Sequence, residues 1–249
     1  MAPPGRTGPG PLLLTGGTGR LGRELVALLP GIVAPGRGEL DVTDPAGTMA
    51  VVEAVRPGVI VHAAAYTDVA GAERDREACW RVNVEGTRNV ARAAGVTGAR
   101  LVHVSTDYVF HGDRGNYRED DTPGPVRNYY ALTKLVAEEA ARAAPGALVV
   151  RTSFRPRAWP YETAFDDLFT SQDYVDVIAP MIAALLGHLA EVRWATLHVA
   201  TERKSVFELA RRRAPAVRRA GKASAGVALP DDVSLDVSRY AALAASWEG

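Results

Sequence analysis

A short apolar run, "PLLLT" (residues 11–15), passes into "GGTGRLG" (16–22) and then into the helical pattern "RELVALL". Few features restrict a fold more tightly. Gly16, Gly19 and Gly22 form G-x-x-G-x-x-G between a strand and a helix. Glycines there permit a tight turn and let backbone N–H groups approach a pyrophosphate, while the helix N-terminus adds partial positive charge. Alone, three glycines also suit any tight βα turn. The grammar of the following segments decides between the two readings.

That grammar is regular. "GIVAP" is a second apolar stretch, ending at Pro35. "DVTDP" opens a helix to about Arg56, with Asp44 as cap and Pro45 at the first helical position. "VIVHAAA" (59–65) is apolar throughout, as a strand covered on both faces should be. A long helical segment over 70–94, the strand "LVHVST" (101–106), a long loop at 107–128, a helix from "YYALTK" and the strand "ALVVRTS" (147–153) follow. Strands alternating with helices predict an α/β fold, a Rossmann-type doubly wound parallel sheet. Past residue 153 the alternation decays. "VRWATLHVA" (192–200) reads as a strand, and Ser205 and Glu208 have capping-box spacing at the head of a helix. The expected division is a disordered Pro/Gly-rich leader at 1–10, a dinucleotide-binding domain at 11–153, and a small irregular substrate-binding lobe at 154–249. That last boundary is soft, and elements of the lobe can return to the main sheet.

Composition narrows the function classes. Twenty-nine basic side chains balance 29 acidic ones in the 249-residue chain, which gives no steering toward nucleic acid or an anionic membrane. The basic run "ARRRAPAVRR" (210–219) reads as a solvated helix face. Cys79 is the lone cysteine, so no internal disulfide forms and a reducing cytoplasm fits. No apolar run reaches the ~20 residues needed to span a bilayer. His62, His103, His111, His188 and His198 show no ligand spacing, so no metal site is expected; His62 and His103 read as satisfied core residues.

Tyr130 and Lys134 stand four apart, on one face of a predicted helix. Y-x-x-x-K is common, but here it follows a glycine turn and a strand ending in the hydroxyls Ser105 and Thr106. Ligands of open α/β sheets bind at the carboxyl ends of strands. A phenol supplies the proton in carbonyl reduction, a nicotinamide supplies the hydride, and a neighbouring ammonium is expected to lower the phenol's pKa from about 10. Where an acid would bind the 2′-hydroxyl of NAD, this chain reads "PGRGE". Arg37 there, and Arg20 in the glycine turn, suit a 2′-phosphate, so NADPH is expected, with NADH as the alternative.

Six segments carry a family resemblance: "TGGTGRLGREL", "ELDVTDP", "RPGVIVHAAAYTDVAGAE", "VNVEGTRNVA", "VSTDYVFHGDRGNYREDDTPGPVRNYYALTKLVAEE" and "VVRTS". Together they cover residues 12–153 almost continuously. The chain resembles the extended short-chain dehydrogenase/reductases, and among them the dTDP-4-dehydrorhamnose reductase family of sugar-nucleotide reductases. The resemblance implies NAD(P)H-dependent reduction of a nucleotide-linked 4-keto-6-deoxysugar. It implies Gly19, Arg20 and Leu21 at the pyrophosphate, with Gly16 and Gly22 shaping the turn. Asp41 and Val42 fall at the adenine, and Ala65, Tyr66 and Thr67 along the ribose and nicotinamide. Asn83 falls on the helix behind the site. Thr106, Tyr130 and Lys134 match the catalytic hydroxyl, acid and lysine, the last two also touching cofactor; Asp107 matches a substrate contact. A homodimer is the family's habit.

Beyond "VVRTS" the chain departs from that pattern with "FRPRAWPYETAFDDLFTSQDYVDVIAP". Phe154 takes the position of a substrate-stacking aromatic, and Arg155 and Arg157 suit a substrate diphosphate. The departure keeps two other readings open. One is a cofactor-binding regulatory subunit like the methionine adenosyltransferase beta subunit. The other is epimerisation or dehydration on a tightly held NAD, from which Arg37 leans away.

Overall fold

The computed structural model describes residues 10–226 and 229–247; nearly all of the expected leader lies outside them. Its centre is a five-stranded parallel sheet of β1 (Leu12–Thr15), β2 (Val59–His62), β3 (Arg100–Thr106), β4 (Leu148–Thr152) and β9 (Thr196–His198), in that spatial order. On the outer side of β1, Val33 pairs in parallel with Leu13, its N–H and carbonyl bonded to Leu12 O and Leu14 N at 2.8 Å each. The apolar stretch at 31–35 is thus a one-residue edge of the sheet. From β1 the chain first runs to this edge and then crosses to the other side, to β2. The strand order therefore reverses at β1, the crevice where doubly wound sheets take their ligands.

The unbroken apolar strands reflect cover on both faces. Leu12, Leu14, Val59, Val61, Val102, Leu148 and Val150 pack toward α1 (Arg20–Leu28) and α7 (Val175–Gly187). Leu13, Ile60 and Leu101 turn to the other face, against α2 (Pro45–Val55), α5 (Gly86–Thr97) and α6 (Tyr129–Arg142). Asp44 caps α2 through a bond from Ala46 N, with Pro45 at the first position, as the sequence predicts. The segment expected as one helix over 70–94 is instead broken. α3 (Val69–Arg74) ends at Asp75, whose side chain caps α4 (Arg76–Trp80), and a π-helical turn over Arg81–Glu85 leads into α5. π-turns widen a helix locally and concentrate at functional sites; this one carries Asn83.

After β4 the chain divides its elements. α7 and β9 join the central sheet and its core, and α9 (Ser238–Trp247) lies beside β9. Short strands form three separate pairs: β5 (Phe154–Arg155) with β8 (Asp173–Tyr174), β6 (Thr163–Phe165) with β11 (Arg218–Ala220), and β7 (Phe169–Thr170) with β10 (Lys204–Ser205). The Ser205–Glu208 capping box forms at the head of α8 (Val206–Arg211). The basic run beyond is less a solvated helix face than a set of ion pairs: Arg212 with Asp173 and Glu202, Arg213 with Asp176, Arg218 with Glu162, and Arg219 with Asp166. Among the described residues no helix is long and apolar enough to cross a membrane.

Candidate active site

The glycine turn sits at the carboxyl end of β1. Gly16 has φ +75°, a left-handed conformation open to glycine, and a side chain there would press within 2.7 Å of Ala64 N. A side chain on Gly22 would collide with the Gly16 carbonyl, so close approach of helix to turn excludes one. Gly19 is the N-cap of α1 and offers no capping side chain, and the first turn carries no acid. A nine-residue helix therefore presents uncapped first-turn N–H groups beside a cradle without side chains, which fits a pyrophosphate. Leu21 is buried in the core, while Arg20 is exposed.

Behind this turn a hydrogen-bond chain ties three elements together. Thr87 Oγ1 donates to Asn83 O at 2.6 Å, so toward His62 Nε2, 3.0 Å away, it accepts. His62 thus carries its proton on Nε2, and its Nδ1 accepts from Thr15 Oγ1 at 2.7 Å. Thr15 in turn accepts from Ala64 N at 3.2 Å. His62 is the satisfied core residue expected of it, and burial drives its pKa down to about 3. His103 is also buried and neutral, but its Nδ1 has no partner. Among the described residues no group of three or more His, Cys, Asp or Glu side chains is arranged to hold a metal ion.

Ala65, Tyr66 and Thr67 form the loop after β2. Asn83 grips the main chain of Tyr66: its Oδ1 accepts from Tyr66 N at 2.8 Å, and its Nδ2 lies 3.2 Å from Tyr66 O. Nδ2 also donates to Thr133 Oγ1 at 2.9 Å, and Thr133 donates to Tyr130 O at 2.8 Å. Asn83 is 1% exposed with both ends of its amide engaged, so it holds the 65–67 loop against α6 instead of reaching a ligand. Val42 is buried against Gly86, and its carbonyl accepts from Asn89. Asp41 binds Thr43 through both backbone and hydroxyl, which holds its carboxyl below the usual range. Arg37 is exposed and lies 3.7 Å from Asp41, a pairing loose enough to yield to a competing anion.

β3 and α6 bring the chemical groups together. Asn128 caps α6 through Ala131 N, and Tyr130, Lys134 and Glu138 follow at i, i+4 and i+8 on its buried face. β3 packs against α6, and the Tyr108 ring meets that of Tyr130 edge-on at 6.4 Å; Thr106 ends the strand. Its Oγ1 accepts from Tyr108 N at 3.2 Å and donates to Asp107 Oδ1 at 3.0 Å. Ser105, the other hydroxyl of the pair, points away and donates to Glu138 Oε1 at 2.6 Å.

The electrostatics correct one expectation. Tyr130 is pushed above the ordinary phenol range, first by burial and then by the Asp107 and Tyr108 charges. Lys134 is engaged elsewhere. Its Nζ donates to Val104 O at 2.8 Å and lies 3.4 Å from His103 Nε2, and burial brings its pKa down to about 8. Asp107 is 2% exposed, and burial raises its carboxyl to about 6 against the hydrogen bond from Thr106.

The segment after β4 frames this end of the sheet. Phe154 is half-buried in β5, packed on the central core. Arg155 stacks over Trp159 at 4.8 Å, and neither Arg155 Nε nor Trp159 Nε1 has a partner. Arg157 is unavailable to a diphosphate, because Glu24 of α1 takes its guanidinium through bonds of 2.8 and 2.6 Å. Sequence reasoning also missed Arg151, whose two bonds to Glu138, 2.9 and 2.8 Å, lock α6 to β4. A buried arginine in "VVRTS" and a glutamate one turn beyond Lys134 were the available signals.

A doubly wound sheet with a glycine cradle at its switch point, and a Thr–Tyr–Lys set over the end of β3, defines a Rossmann-type protein of the extended short-chain dehydrogenase/reductase class. The chain belongs to the RmlD substrate binding domain family, whose model matches residues 10–158. It is 39% identical over 188 residues to the dTDP-4-dehydrorhamnose reductase of Mycobacterium tuberculosis, covering 71% of this chain and 56% of that protein. It is 46% identical over 133 residues to the Streptomyces griseus enzyme of the same name, covering 51% and 43%. The chain thus spans about half the length of the curated relatives it matches. Solved structures align further. The Bacillus anthracis dTDP-4-dehydrorhamnose reductase in complex with NADP superposes with a TM-score of 0.81 at 28% identity, covering 92% of this chain and 90% of that one. A hypothetical dTDP-4-dehydrorhamnose reductase from Sulfolobus tokodaii gives 0.80 at 36%, covering 92% and 93%.

Proposed function

We propose that this protein is an NADPH-dependent reductase of a 4-keto-6-deoxysugar carried on a nucleoside diphosphate, of the dTDP-4-dehydrorhamnose reductase kind. The observation that carries the reading is Tyr130 and, one turn on, Lys134 on the buried face of α6, packed against β3 where that strand ends in Thr106. The relatives' names and the NADP in the Bacillus anthracis structure support it.

The glycine turn and the N-terminus of α1 hold the pyrophosphate, Asp41 and Val42 meet the adenine, and Arg37 with Arg20 takes the 2′-phosphate. The loop 65–67 lines the ribose and nicotinamide. The nicotinamide supplies the hydride when bound. Thr106 polarises the carbonyl oxygen, and Tyr130 gives it a proton. A phenol raised by burial stays protonated at neutral pH, so the donor form is the resting form. An alkoxide is a stronger base than a phenolate, so the transfer still runs downhill. Lys134, largely charged at pH 7 with its pKa near 8, anchors the end of β3 and faces the ribose. Asp107 and Phe154 face the sugar. The protein acts in the cytoplasm, as a homodimer by family habit.

Tyr130→Phe tests the assignment. It should lower turnover by about 10²–10⁴-fold while the dissociation constant for NADPH, tighter than that for NADH, stays unchanged. Retained turnover would overturn Tyr130 as the acid. Cofactor binding by the unaltered protein with no turnover on any keto sugar would favour the regulatory-subunit reading.

A further inference from the structure

Residues 151–157, running out of β4, carry three arginines. Arg151 is locked to Glu138 and Arg157 to Glu24 of α1, whereas among the described residues no carboxylate pairs with Arg155. The strands fix where Arg155 lies. Thr152 is in register with Thr106 of β3, and three residues of extended chain carry Arg155 no more than about 10 Å further. Alternate residues of a strand face opposite ways. Phe154 packs on the central core, so Arg155 turns away from it. Its guanidinium lies over the Trp159 ring at 4.8 Å. Trp159 in turn packs on the small core that Ala164, Val206, Phe207 and Ala210 form in the lobe. The stack therefore bridges the end of the sheet and the lobe. In β8, alongside, Tyr174 is in register with Arg155, and the acid of that strand, Asp173, is taken by Lys204 and Arg212.

The stack holds donors without an acceptor. Arg155 Nε and Trp159 Nε1 are both closed from solvent and both lack a partner. Buried N–H groups are costly to leave unpaired, and neither side chain can accept a hydrogen bond. A guanidinium laid flat on an indole is held in plane, with its fork ready for two oxygens of one anion. Arg155 as a whole is only half-buried, so the rest of the fork can be reached. Tyr161, edge-on to Trp159 at 5.5 Å and 59% exposed, marks the open side. We propose that Arg155, held on Trp159, is the subsite for the substrate's diphosphate, and that it makes the protein take sugars linked to a nucleoside diphosphate and refuse free sugars. The inference rests on the ketoreductase reading. In such a substrate the keto group at C4 and the diphosphate at C1 stand across the sugar ring from each other. Tyr130 on α6 serves one end and Arg155 on β5 the other.

The test is a calorimetric titration of dTDP into the full chain saturated with NADPH, so that the cofactor's own phosphate contacts are filled. The unaltered protein should bind dTDP, and inorganic pyrophosphate should compete with it. Arg155→Gln should weaken dTDP binding by about tenfold or more. Arg155→Lys, which keeps the charge and loses the fork, should recover only part of that loss. NADPH affinity should be the same in all three proteins, which reads the integrity of the fold. Tryptophan fluorescence locates the ligand: dTDP should quench it, and Trp159→Phe should remove the response. Unchanged dTDP affinity in Arg155→Gln, a quench that survives in Trp159→Phe, or no dTDP binding by the unaltered protein would each overturn the subsite, whatever the activity. If dTDP binds and Arg155→Gln loses it, yet the unaltered protein turns over no keto sugar, the reductase reading falls and the diphosphate subsite stands.

Discussion

Three buried histidines set the acid response at the residue scale. Burial is the first cause of depression in each: His62 falls to about 3, His198 to about 4, and His103 well below its usual value. Between those values and 6.5 the unfolded chain binds protons that the folded chain cannot, so stability falls as pH falls through this window. Asp107 runs the other way. Its folded pKa near 6 lies above the unfolded 3.8, so the fold gains as pH falls from 6 to 3.8. Three groups outweigh one. At pH 5 His62 and His198 each cost on the order of 2 kcal/mol relative to pH 7, and His103 adds a cost of the same sign. Urea denaturation should therefore show a loss of several kcal/mol between pH 7 and pH 5, and a flat profile over that interval would contradict the burial of neutral rings. His62 and His103 could be read as core residues because they stand inside apolar runs. The protonated nitrogen of His62 could not, because it depends on Thr15 and Thr87, which are distant in sequence.

The Tyr helix is the decisive element. Its registry against the sheet is fixed by Glu138, which Arg151 grips bidentately while Ser105 donates at 2.6 Å. Both charges are almost wholly buried. Such a pair is weak evidence of net stabilisation, but stranding one partner costs about 3–5 kcal/mol. Arg151→Met should therefore destabilise by that amount and blur the Tyr130 position, and the double variant Arg151→Met/Glu138→Gln should recover much of the loss. A double-mutant cycle by denaturation reads the coupling, and strict additivity would contradict it. Local signals were available for several elements: the glycine turn, the Asp44–Pro45 start and the Ser205–Glu208 box all follow from short-range chemistry. The break within 70–94 was harder to read, because Asp75 both ends α3 and caps α4 without a glycine or proline to mark it. The Glu138–Arg151 pair joins a helix to a strand 13 residues on, a spacing that no periodicity predicts.

At the scale of the whole molecule, alternation of strand and helix revealed a parallel sheet, but strand order comes from packing. Val33 beyond β1 and β9 beyond β4 contribute one and three residues, too few to announce their place in the sheet. Lys134 shows the same limit. Its spacing from Tyr130 is plain in the sequence, yet the direction of its ammonium depends on Val104 and His103 across the interior. Arg157 is a third case, claimed by Glu24 from 133 residues earlier in the chain. What the assembled molecule offers is a glycine cradle at the switch point and a buried, protonated phenol on the helix packed against β3. The most direct measurement is NADPH oxidation by the purified protein against a panel of dTDP-4-keto-6-deoxysugars. Stoichiometric formation of a 4-hydroxy sugar from at least one of them, dependent on Tyr130, is the predicted result. Tight NADPH binding with no oxidation on any member of the panel would contradict the reductase account.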